Sequence, residues 1–226
     1  GQAERAVVVA YDAAVEPQAL FYYEQLGVLS NQHLKPFDAA HNGTILADGA
    51  AALVLESEAS MRARSATCYG EILGGLSSTE AEGLFSLDAS GQQLAELMQR
   101  TLECVEVNPN DLGFIVTHGN GNSKSDYSES QAIQNVFPEQ EIPVTAFKWS
   151  VGHSICASGL IDTVMTTYAL SSKCVPGIAN LQNIASGCKG LSVSAEHQPL
   201  KRGPYALTIN RGFASMNACL VIKACD

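Results

Sequence analysis

Residues 111–122 read DLGFIVTHGNGN: an apolar run through Ile115 and Val116, then Thr117, His118 and a loop of alternating glycine and asparagine. Short runs of Phe, Ile and Val without alternation suit a strand buried on both faces. In α/β sheets such a strand end is where ligands bind. Upstream, residues 92–104 put Leu94, Leu97, Met98, Thr101 and Leu102 on one helical face, and the helix ends before Pro109. Downstream, the pattern predicts a helix over 128–137, a strand over 142–148, a turn at Val151-Gly152-His153 and a helix from about 157 to 170. Two late strands, 205–209 and 218–222, flank a loop holding Gly212. At the front, 5–12 reads as a buried strand, 17–26 as helical, and 49–56 as a small-residue strand packed on both faces. Residues 68–73 predict a further strand, 77–91 a polar loop, and 175–200 irregular chain. The order predicts an α/β chain with several strands buried on both faces.

Composition narrows the function. The 226 residues carry 23 Asp+Glu against 13 Lys+Arg, a net charge of −10. Duplex nucleic acid needs a basic face, so that class is excluded. No uniformly apolar stretch reaches membrane-spanning length, and the opening GQAERAVVVAYD has no features of a signal peptide. The cysteine count of seven is odd, the spacings are wide and no C-x-x-C occurs. That argues against a disulfide framework or zinc site and for a reducing, cytoplasmic setting.

Two histidines, His118 and His153, each follow a strand and stand beside glycine. Neutral imidazoles aimed at one point can donate two hydrogen bonds to a developing oxyanion. Lys148 ends an apolar strand five residues before His153; a snorkelling lysine is the plain alternative. Asp126 and Glu129 suit the start of a helix. The segment Gly152 to Cys156 approaches a nucleophile elbow around Ser154 but lacks the closing glycine. His118, His153, Asp126 and Cys156 match no metal-ligand spacing, so no metal is expected.

In order along the chain, four segments resemble the motifs of the β-ketoacyl-(acyl carrier protein) synthases. Pro36-Phe37-Asp38 with Asp48-Gly49-Ala50 and Leu53-Val54-Leu55-Glu56 is similar to PFD…GEGA…LVLE. Thr117 through Asn122 with Asp126 and Glu129 resembles HGTGT…D..E. Lys148 to Gly159 resembles KS..GH…AAG, and Gly212 to Asn217 resembles GFGGTN. The resemblance covers nearly the whole chain and implies a thiolase-like layered α-β-α half with a mixed sheet, the C-terminal part of a condensing enzyme. It assigns 1–57 to the tail of the N-terminal half and 58–226 to the C-terminal half.

The resemblance also implies roles. His118 and His153 would stabilise the thioester oxygen during decarboxylative Claisen condensation with a malonyl thioester. Lys148, paired with Glu129, would support them; Phe213 would gate the acyl pocket; Asp126 and Asn217 would hold loops in shape. Asn120 and Asn122 replace the two threonines that bind the pantetheine arm. Trp149, Ala214-Ser215-Met216 and His41-Asn42 are further departures. The nucleophilic cysteine would lie upstream of Gly1, so the chain alone is expected to be inactive. No cofactor is implied beyond substrates carried on the phosphopantetheine of an acyl carrier protein. Expected partners are that carrier, the missing half or a partner subunit, and a homo- or heterodimer mate. Lys201 and Arg202 with Arg211, or Arg62 and Arg64, are candidates for a docking patch, with a solvated surface the plainer reading of each. The alternative is a non-catalytic partner subunit, like the chain-length factors of ketosynthase pairs.

Overall fold

A computed structural model describes residues 3–138 and 141–225. The chain opens with β1 (Arg5–Ala13), α1 (Pro17–Gln25), β2 (Asp48–Glu56), α2 (Glu58–Ala63) and β3 (Glu71–Thr79). It continues with α3 (Gln92–Cys104), β4 (Leu112–Val116), α4 (Ser123–Val136), β5 (Pro143–Thr145) and α5 (Lys148–Val151). It closes with α6 (Ser158–Ser171), β6 (Cys174–Val175), β7 (Ser192–Val193), β8 (Gln198–Pro199), β9 (Tyr205–Gly212) and β10 (Met216–Lys223).

The main sheet has six strands in the order β3-β10-β9-β4-β5-β7. β3, β10 and β9 are antiparallel, whereas β9, β4, β5 and β7 are parallel, so the sheet is mixed. β4 lies inside it, and all of its residues are buried. Leu112 and Ile115 enter one core with Leu94, Met98 and Leu102 of α3. Phe114 and Val116 enter the other with Ala169 and Leu170 of α6. A helical layer thus covers each face, the layered α-β-α arrangement the resemblance implies. Each fully buried Leu or Phe contributes about 1.5–3 kcal/mol of transfer free energy, which is why a strand facing two layers has no polar position to spare.

The structure corrects several expectations. β1 and β2 form their own antiparallel pair, and β1 is largely exposed, with Val7, Val9 and Tyr11 at 69%, 62% and 77%. Apolarity signals a face that wants cover, and none of the described residues covers this one. β2 packs on one face only: a Cβ on Gly49 would meet Ser154 and Ile161 within 3.0 Å. β3 begins three residues later than predicted and runs to Thr79, taking in the start of the expected loop. α4 begins at Ser123, because Asn122 accepts hydrogen bonds from the amides of Lys124 and Ser125 and caps it. The segment 175–200, expected to be irregular, contains β7 and β8 and the last residue of β6. Cys68 and Cys225 form a disulfide, contrary to the cysteine argument. Their separation of 157 residues hides that the entry to β3 and the exit of β10 are neighbours.

Candidate active site

β4 delivers His118 from its C-terminal end into a buried loop, where the residue is 3% exposed. Its backbone N–H donates to Glu129 Oε1 at 2.7 Å and that of Gly119 donates to Oε2 at 3.0 Å. One carboxylate on α4 therefore fixes the turn. Gly119 has φ +46, and a Cβ there would lie 2.5 Å from that of Ala146, so the turn requires glycine. Nδ1 of His118 accepts from the backbone N–H of Arg211 at 3.4 Å. The neutral ring's proton consequently sits on Nε2.

His153 reaches the same place from the other side. Its N–H donates to Ile45 and its carbonyl accepts from Ala47, which seats it beside the segment before β2. Nδ1 lies 2.9 Å from Ser158 Oγ at the start of α6. With that hydroxyl donating, Nε2 carries the proton here as well. The two rings meet edge to face, with centroids 5.2 Å apart. Burial, and after it the nearby Lys148 charge, push His153 down to about 3. Burial followed by Lys148, His153 and Arg211 holds His118 well below the usual imidazole range. Both rings are neutral donors at neutral pH.

Lys148 is the first residue of α5, not the end of a strand, and its ammonium is 1% exposed. It pairs at 2.6 Å with Asp162 of α6, equally buried. This overturns the expected Lys148–Glu129 pair: both oxygens of Glu129 face the His118 loop amides. Burial pushes the Glu129 carboxyl up to about 7. Asp162 is raised by burial, against the pull of Lys148. Asp162 is absent from the expected site residues, and the signal for it is a lone acid in the apolar segment SGLIDTVM, which calls for a buried partner.

The supporting residues divide into separate tasks. Asp126, fully buried, accepts the Phe37 amide and the His41 Nδ1 hydrogen, each at 2.9 Å. It thereby ties α4 to the Pro36-Phe37-Asp38 turn, where Phe37 has φ +60. Asn217 accepts from Arg211 Nε and donates to Glu80. Asn120 accepts the Asn122 amide, so both asparagine carbonyls serve the backbone. Phe213, 42% exposed, packs on Phe85 and Tyr23 with centroids 5.4 and 5.7 Å away. The surface patches do not form as expected. Arg211 is buried, Arg202 donates to the carbonyls of Leu112 and Asn110, and Arg62 and Arg64 pair with Glu58 and Glu56. Among the described residues, no cluster of three or more His, Cys, Asp or Glu could hold a metal, and no helix is long and apolar enough to cross a membrane.

Residues 69–182 match the family model for the C-terminal domain of beta-ketoacyl synthases, and residues 1–60 match that for the N-terminal domain. The chain belongs to the β-ketoacyl synthase family. A 3-oxoacyl-[acyl-carrier-protein] synthase 2 of Mycobacterium bovis is 24% identical over 220 residues, covering 94% of this chain and 52% of that protein. A solved type II polyketide acyl-carrier protein in complex with its ketosynthase superposes with TM-score 0.95 at 26% identity, over 100% of this chain and 57% of that one. The ishigamide ketosynthase/chain length factor gives 0.92 at 25%, over 100% and 55%. The chain spans about half the length of these relatives.

Two expected results follow from the site. His41→Ala removes a partner of buried Asp126 and should cost roughly 1–3 kcal/mol, read from the urea midpoint; no shift would mean the pair is idle. His153→Asn bears on pH. An imidazole near 3 when folded and about 6.5 when unfolded binds its proton first in the unfolded chain. Its contribution to stability is present above about 6.5 and lost as pH falls toward 3. The variant should flatten the acid side of the stability profile by about 1.4 kcal/mol per pH unit in that window.

Proposed function

We propose that this chain is the C-terminal part of a β-ketoacyl-(acyl carrier protein) synthase that joins an acyl group to a malonyl unit by decarboxylative Claisen condensation. The observation that carries the reading is the convergence of two neutral imidazoles beside a buried lysine–aspartate pair. When a malonyl thioester loses carbon dioxide, the bond between carboxylate and α-carbon breaks and its electron pair becomes an enolate. The Nε2 hydrogens of His118 and His153 donate to the enolate oxygen. The enolate carbon then attacks the carbonyl of an acyl-cysteine, the carbon–sulfur bond breaks, and the thiolate leaves.

Burial, with the Lys148 charge adding to it, keeps both imidazoles neutral. Glu129, Asp126 and Asn217 hold the surrounding loops, and Phe213 stands at the rim where an acyl chain would enter. Asn120 and Asn122 offer side-chain amide hydrogens to the pantetheine arm in place of hydroxyls. Both acyl units come as thioesters on an acyl carrier protein, so the reaction needs no resident cofactor.

The acylated cysteine is not one of the seven here. Cys156, the nearest in sequence to His153, donates its amide to Asp12, and hydrogen bonding to that carboxylate holds its thiol up rather than down. The reading places the nucleophile in an upstream half or partner subunit and expects no condensation from this chain alone. Homo- or heterodimer formation follows from the same reading.

A chain-length-factor-like subunit is the second reading. The capping use of the Asn120 and Asn122 carbonyls, together with Met216 in the hairpin, favours it. Release of carbon dioxide from a malonyl thioester by the native protein separates the two. A non-catalytic partner releases none, and release left unchanged in both histidine variants would end the enzyme reading.

A further inference from the structure

Arg211 is a charge inside an apolar strand, and its guanidinium is 6% exposed. It has three side-chain partners. Nη2 donates to Glu80 Oε1 at 2.7 Å, Nη1 to Ser128 Oγ at 3.0 Å, and Nε to Asn217 Oδ1 at 2.9 Å. Glu80, whose side chain is fully buried, follows β3; Ser128 lies on α4; Asn217 lies across the β9–β10 ladder from Arg211. Every partner is itself held. Glu80 accepts the Asp88 amide and the Asn217 side-chain amide, and Ser128 donates to the Asp88 carbonyl. The backbone N–H of Arg211 lies past the last β4 partner of β9, which is Thr208, and donates to Nδ1 of His118.

We propose that Arg211, clamped by Glu80, is a positioning residue for His118, fixing the amide that holds the imidazole as its Nε2–H tautomer. This rests on the oxyanion reading of His118. An imidazole with no donor on Nδ1 divides between two tautomers, and only one of them presents Nε2–H to the thioester oxygen. A guanidinium held by three partners, just after β3, on α4 and on β10, leaves the adjoining peptide little freedom. Preorganisation of that kind keeps a transition-state donor from having to reorient during the reaction.

The test uses the native protein, at the length its organism makes, labelled with 15N-histidine. Wild type should show His118 as a single Nε2–H tautomer. In Arg211→Met/Glu80→Gln both charges are gone, and the glutamine carbonyl keeps one of the two acceptor roles of Glu80, toward Asp88 or Asn217, so circular dichroism checks the fold before the tautomer is read. Its His118 resonances should move toward tautomer averaging, and malonyl-thioester decarboxylation should fall between about 10- and 100-fold in kcat. Arg211→Lys retains the Glu80 pair and should recover part of the Nε2–H population, which keeps the test readable if the double variant unfolds. An unchanged tautomer in both variants overturns the clamp. A wild type that releases no carbon dioxide overturns the oxyanion reading instead, and the tautomer shift still decides whether Arg211 positions the ring.

Discussion

His118→Ala and His153→Ala should each lower the decarboxylation rate of a malonyl thioester by about 10²–10³-fold, the usual loss when one oxyanion donor is removed. The substitutions take away a hydrogen bond that strengthens as charge gathers on the oxygen, so kcat should fall far more than KM rises. The double variant should fall well short of the product of the two single losses, because the rings are 5.2 Å apart and the proposed reaction has both donate to one oxygen. Neutrality sharpens the expectation. With His153 at about 3 and His118 also well depressed, the rate should not drop through the ordinary imidazole range near 6.5. Glu129, at about 7, titrates in the same range, so a wild-type rate that halves near pH 6.5 removes the two-neutral-donor basis when 15N-histidine shifts show a ring taking up the proton there. Rates are read as carbon dioxide released by the native protein, with circular dichroism confirming that each variant is folded.

The layers were legible in the sequence because they rest on local periodicity. The apolar face of residues 92–104 is buried where the pattern puts it, and the helix has the predicted bounds. The continuous run of β4 is buried on both sides. What failed was pairing. Lys148 lies 14 residues from Asp162, and Arg211 lies 131 from Glu80, and no spacing rule connects partners that meet only after the sheet assembles. The Lys148–Glu129 expectation came from resemblance, and the geometry corrects it: the Glu129 oxygens accept the His118 and Gly119 amides, and the Lys148 ammonium goes to Asp162 instead. β1 failed in another way. Its residues are as apolar as those of a central strand, but composition does not say which face finds a partner.

The largest stability effect should come from Lys148→Met. The ammonium and the Asp162 carboxylate are each 1% exposed and 2.6 Å apart. Removing the cation strands a carboxylate in a site that already disfavours its charge, and breaking a buried pair on one side costs about 3–5 kcal/mol. Lys148→Met/Asp162→Leu removes both charges and should recover most of that loss, since buried ion pairs exchanged for apolar groups of similar volume are often close to neutral. The double variant then separates structure from chemistry. Its fold persists, but the cation that holds down His118 and His153 is gone, so both imidazoles should titrate higher than in wild type. Any loss of decarboxylation as pH falls should therefore set in at a higher pH than in wild type, even though urea midpoints match. A double variant as unstable as Lys148→Met would mean that Lys148 acts through packing rather than charge. A stable double variant with unshifted histidines would mean that burial alone keeps them neutral, leaving Lys148 without an electrostatic part in the site.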